Sequence, residues 1–154
     1  MEKTLNQLRK EFELIATEHR QINSFFFGEF LDAVSRDAVT YPMMVVSLQP
    51  SQIGDFNVGI NAIITICDKY NQSDYDQINE IHSDCISICK DIHTTFKQWR
   101  FDEFLDIEGT IGTTPFINRS QDMTAGWTME LAVNIFDTEN WCNIPFDNYD
   151  FKNN

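Results

Sequence analysis

Positive charge is scarce in this chain. It has 11 Lys and Arg against 24 Asp and Glu, a formal net charge of −13 over 154 residues. A free-standing nucleic-acid binder must neutralise phosphates with clustered cations, so the balance argues against that role. It leaves open a surface that DNA passes without sticking, because like charges repel. Cysteine is also scarce. Cys67, Cys85, Cys89 and Cys142 are too few and too unevenly spaced for a small secreted disulfide scaffold. No apolar run approaches the ~20 residues of a membrane span, so no membrane contact is expected. The stretch MEKTLNQLRKEFELI is charged and amphipathic, unlike a signal peptide. These features lead to the expectation of a soluble protein made in a reducing cytoplasm. Familiar chemical signatures are missing too: there is no Gly-rich phosphate loop, no G-x-S-x-G elbow and no H-E-x-x-H.

What is present is apolar material in regular patterns. Apolar residues make up 42% of the chain, with 13 Phe among them. The chain is therefore no disordered segment, and its length suffices for one domain with a real core. Leu5, Leu8, Phe12, Ile15, Ile22 and Phe26 recur in steps of three and four, with His19 filling the gap. That spacing predicts a long first helix, continuing through Phe30 to Ala33 or Val34 with a bend at Gly28. YPMMVVSLQP then reads as a strand and SQIGDFN as a turn. In the next strand Val58, Ile60, Ala62, Ile64 and Ile66 share one face.

Ser73 or Asp74 suits the cap of a second long helix. Its stripe is Ile78, Ile81, Cys85, Ile88 or Cys89, Ile92, Phe96 and Trp99. RFDEFLDIEGTI reads as a third strand, GTTPFINRSQDMT as a long loop, and AGWTMELAVNIF as a fourth strand with Trp127, Met129, Leu131, Val133 and Ile135 on its apolar side. The expected fold is a two-layer α+β domain in the order α-β-β-α-β-β. A mainly antiparallel four-stranded sheet would carry two long helices on one face. The domain is expected to span residues 1–137. Residues 138–154 form an irregular, aromatic tail.

Groups that could carry chemistry are few. His82, Cys85, Cys89 and His93 lie near one helical face. From first to last, however, a helix rises ~16 Å, whereas zinc holds its ligands at ~2.0–2.3 Å. An adjacent pair could contribute to a metal site only with ligands from elsewhere. The plainer reading makes the two Cys small core residues. His19 reads as a hydrogen-bonded boundary residue. Asp102, Glu103, Asp106 and Glu108 read as the solvated face of a strand. No catalytic residue, metal ligand or cofactor site is assigned.

The remaining oddities are apolar groups without a home. Three consecutive Phe on a helix cannot all face one stripe, since neighbours point ~100° apart. Phe26 fits the stripe. Phe25 and Phe27 need either a wider buried face or a contact with another subunit. Pro115, Phe116 and Ile117 sit in the predicted loop. Trp141, Ile144, Phe146, Tyr149 and Phe151 sit in the tail. The tail either folds back on its own domain or docks as an arm on a neighbour.

The stretches EHRQINSFFFGEFLDA, YPMMVVSLQP, NEIHSDCISICKDI and DMTAGWTMELAVNI, with CNIPF, resemble small virion proteins of tailed bacteriophages, in particular crAss-like phages. The element order is similar to that of tail-terminator and head–tail joining proteins. The likeness covers nearly the whole chain, and its motifs are structural. It implies a neck or tail location in the virion and a homo-oligomeric ring, hexameric or dodecameric, with other neck and tail proteins as partners. The genome would pass through the channel without specific binding. A ring needs two different patches on each subunit. Candidates are the Phe25–Phe27 region, the Gly112–Gln121 loop and the tail from Trp141. The contrasting expectation is a small-molecule or peptide-binding module with an apolar pocket between helices and sheet.

Overall fold

The computed structural model describes residues 4–71, 75–98, 105–106, 111–118, 123–136 and Pro145. Helix α1 spans Leu5–Glu18. Thr4 and Gln7 start it with a reciprocal capping box. The Gln7 amide donates to Thr4 Oγ1 at 3.3 Å, and the Thr4 amide donates to Gln7 Oε1 at 2.8 Å. Each of the two residues thereby satisfies the other's backbone amide at the helix start. Leu8, Phe12 and Ala16, each four residues apart, form its buried face.

The helix does not continue to Ala33 or Val34. It ends at His19, where the backbone turns extended, and Ser24–Phe27 form strand β1. The three aromatics explain the change. A strand sends successive side chains to opposite faces. Phe25 and Phe27 pack on the main core, and Phe26 packs on a second cluster behind the sheet. All three find cover, which a helix could not offer. A short helix α2, Phe30–Val34, follows. It lies within the crossover that returns the chain to β2, Met43–Ile53, parallel to β1. Parallel neighbours need a connection of about a dozen residues or more, and residues 28–42 supply it.

Strand β2 turns directly into β3, Asn57–Lys69. Helix α3 follows at Tyr75–Lys97 and buries Ile78, Ile81, Cys85, Ile88, Cys89, Ile92 and Phe96 of the expected stripe; Trp99 and the cap candidates Ser73 and Asp74 lie outside the described residues. Strand β4 is Leu105–Asp106, β5 is Thr113–Asn118 and β6 is Thr124–Phe136. The α+β class stands, but among the described residues the sheet has six strands rather than four, in the order β1-β2-β3-β6-β4 with β5 also on β6. The chain order is α-β-α-β-β-α-β-β-β. Strands β4 and β5 occupy successive lengths of the same edge of β6. β5 takes the place of the expected loop. Its Thr, Phe and Ile suit a strand, and an edge position tolerates Pro115.

The main core lies between the sheet and helices α1 and α3, so two long helices do share one face. The Phe12 and Phe96 rings meet at 5.2 Å between centroids and tie the helices together. Behind the sheet, Ala33 and Val34 of α2 pack on Met43, Val45 and Cys67. The two-layer expectation therefore holds for only part of the sheet; α2 adds a local third layer. Gly126 of β6 faces Cys67 of β3. A Cβ there would lie 1.9 Å from the Ile66 carbonyl oxygen, so the close approach of these backbones requires glycine.

Candidate functional site

The β2–β3 ribbon changes character along its length. Met43, Met44, Val45, Val46 and Ser47 are all buried, because helices lie on both sides of this part of β2. Beyond Ser47 the cover runs out. Pro50 cannot donate to a strand ladder, and the pairing slips between Gln49 and Gln52, leaving one extra residue on β2. Side chains replace the lost ladder bonds. Ser51 Oγ accepts from the Asn61 amide at 3.0 Å, and Asn61 Nδ2 donates to the Pro50 carbonyl at 2.8 Å. Pairing then resumes through Ile53 and Val58. The Gly54 amide donates to the Asn57 carbonyl at 2.8 Å and closes the turn. Asn57 Nδ2 donates to Asn134 Oδ1 at 3.0 Å and ties the tip's base to β6.

This well-bonded tip carries uncovered apolar side chains. Ile53 is 87% exposed and Phe56 66%, with exposed Asp55 between them in sequence. Leu48, at 40%, begins the exposed stretch. A single exposed Leu would be ordinary, but Ile and Phe together on one tight turn form a small apolar knob.

The second feature is concave. A groove of about 490 Å³ lies between α3 and the β5–β6 side of the sheet. Ile86, Cys89, Ile111 and Met129 form its apolar wall, and Ser87, Lys90, His93 and Thr113 its polar rim. Burial pushes the Cys89 thiol up to about 12, so it remains a neutral part of that wall. Burial, with the nearby Asp68, Cys89 and Asp84, likewise pushes Cys85 up to about 12. Burial raises the Cys67 thiol as well. The opposite sheet face carries two further hollows, one of mixed polarity that includes Glu130 and a mainly apolar one that includes Glu29 and Phe30.

Two of the histidines serve the fold. His82 Nε2 lies 3.1 Å from the Phe116 carbonyl, and Trp127 Nε1 donates to the His82 carbonyl at 2.8 Å. The pair clips α3 to β5 and β6. His19 Nδ1 accepts the Gln21 amide at 3.2 Å, which leaves the proton on Nε2, 2.8 Å from Asp91 Oδ2. This bridge joins the end of α1 to α3. It contributes less than ~1 kcal/mol, whereas burying Leu8 and Phe12 contributes roughly 3–6 kcal/mol, so packing holds α1 in place. Among the described residues, no group of three or more His, Cys, Asp or Glu is placed to hold a metal ion.

The sequence-derived interface candidates are not brought together. Phe25 and Phe27 are half-buried against the main core. Phe116 lies edge-on to Phe30 at 5.9 Å in the second cluster, and Ile117 packs against the main core. Pro115 is exposed on the β5 edge. Trp141, Ile144, Phe146, Tyr149 and Phe151 lie outside the described residues, as do Asp102, Glu103 and Glu108. The hairpin tip is not among those candidates; its one signal in the sequence is an Ile and a Phe flanking Gly54–Asp55 in a turn. Comparison with protein-family models and with curated proteins gives no match.

Proposed function

We propose that this chain is a non-enzymatic structural subunit of a tailed-phage virion. It forms a homo-oligomeric ring, hexameric or dodecameric, in the neck or tail. There it joins head and tail around the DNA channel, in the manner of a tail terminator or head–tail connector, and contacts other neck and tail proteins. The observation that carries the reading is the exposed apolar tip at Ile53 and Phe56. Folding leaves that apolar area in water, and subunit contact would remove it. The acidic balance, 24 Asp and Glu against 11 Lys and Arg, suits a wall past which DNA moves without adhering. No helix among the described residues is long and apolar enough to cross a membrane.

The groove beside α3 favours a second reading, a small-molecule or peptide-binding module. Its volume of about 490 Å³ and its apolar wall with a polar rim fit that class. Negative-stain microscopy of the purified chain separates the two. Closed rings of one stoichiometry are the expected result. A monomer at every concentration overturns the ring.

A further inference from the structure

The geometry points to a head-to-tail contact between copies of this chain, in which the hairpin tip of one copy seats in the α3 groove of the next. The inference rests on the ring reading above and names the two surfaces that build it. The tip offers Ile53 and Phe56, exposed and projecting from a turn, with Asp55 between them. The groove offers an apolar wall that includes Ile86 and Met129. Lys90 stands at its rim.

Three properties match. A projecting turn meets a concave surface, apolar side chains meet an apolar wall, and the Asp55 carboxylate meets the Lys90 ammonium. The charge match is the most selective. With 24 acidic residues against 11 Lys and Arg, the net charge of the chain repels Asp55, whereas Lys90 gives the groove rim a charge that attracts it. Knob and groove are different patches on one subunit, so their contact is heterologous. Repeated from copy to copy, it closes into a ring when the rotation permits. Phe56 then becomes a buried aromatic anchor, the kind of residue enriched at interface centres.

The test is a charge exchange on the full chain, followed by sedimentation velocity over a concentration series. Asp55 and Lys90 are both exposed, so Asp55→Lys and Lys90→Glu should melt as the wild type does. Each variant alone should associate about tenfold or more weakly, because like charges then face each other across the contact. An equimolar mixture should regain assembly. In that mixture the altered tip of one variant meets the altered groove of the other, and the two unaltered surfaces meet each other. A ring with an even number of subunits accommodates this alternation. If both single variants assemble like the wild type, the tip-in-groove contact is overturned while the ring stands. A mixture that regains nothing overturns the same contact. A wild-type chain that stays monomeric throughout overturns the ring itself.

Discussion

The two halves of the β2–β3 ribbon are built from the same strands and obey different constraints. From Met43 to Ser47 every side chain is buried, with α1 and α3 over one face and α2 behind the other. From Leu48 to Phe56 the cover of these three helices runs out, and Ile53 and Phe56 stand in water. Strand geometry is continuous across the change, apart from the bulge at Pro50 and Ser51. Burial here depends on what covers a strand, not on the strand itself. The packed half contributes to the stability of one chain. The bare half leaves Ile53 and Phe56 in water, and on the reading proposed above another copy of the chain covers them.

The largest effect that can test this contrast lies in the packed region. Gly126→Ala places a Cβ 1.9 Å from the Ile66 carbonyl oxygen, which forces β3 and β6 apart. A loss of about 4 kcal/mol or more is expected in urea denaturation. Gly112→Ala, whose Cβ would meet nothing within 4 Å, should change stability by less than ~0.5 kcal/mol. Next in size is a pair of truncations along the ribbon. Ile64→Ala, at a fully buried position, should cost ~2–5 kcal/mol. Phe56→Ala should leave the melting of the dilute monomer within ~0.5 kcal/mol of wild type despite removing a larger side chain. A large loss from Phe56→Ala would break the comparison, because the tip would then be part of the core.

The packed region should also carry a pH signature that the tip lacks. Cys85 and Cys89 ionise near 9 when unfolded and are pushed up to about 12 by burial. The folded state holds these protons more tightly, so their contribution is complete below pH 9 and is lost as pH rises towards 12. Urea midpoints should fall across that window, and fall less in a Cys85→Ala, Cys89→Ala chain. A small effect is also expected at the His19–Asp91 bridge. Asp91→Asn should shift stability by less than ~1 kcal/mol, because the aspartate is exposed.

Elements that bury one face are plain in the sequence. The α3 stripe and the alternation in β3 and β6 are periodic, and the structure follows them. β1 is hidden because Ile22 and Phe26 happen to continue the spacing of the α1 stripe. A four-residue strand with Phe on both faces has no alternation to reveal it. β5 is hidden by Pro115, which reads as a loop until the edge position is known. The second cluster leaves one trace, the unbroken apolar run Met43–Val46, a pattern of strands covered on both faces. The five-residue α2 that covers it is too short to show a period. The tip leaves only a faint signal, an Ile and a Phe flanking Gly54–Asp55 in a turn, for a different reason. Exposure of Ile53 and Phe56 follows from where the helices end, and no local pattern encodes that.

The most direct measurement is sedimentation velocity of the wild type beside a chain carrying Ile53→Ser and Phe56→Ser, with thermal denaturation of both. Assembly of the wild type into one closed species, its loss in the variant, and equal melting of the two as monomers are the expected results. An assembly that persists unchanged in the variant would contradict the hairpin tip as the docking element.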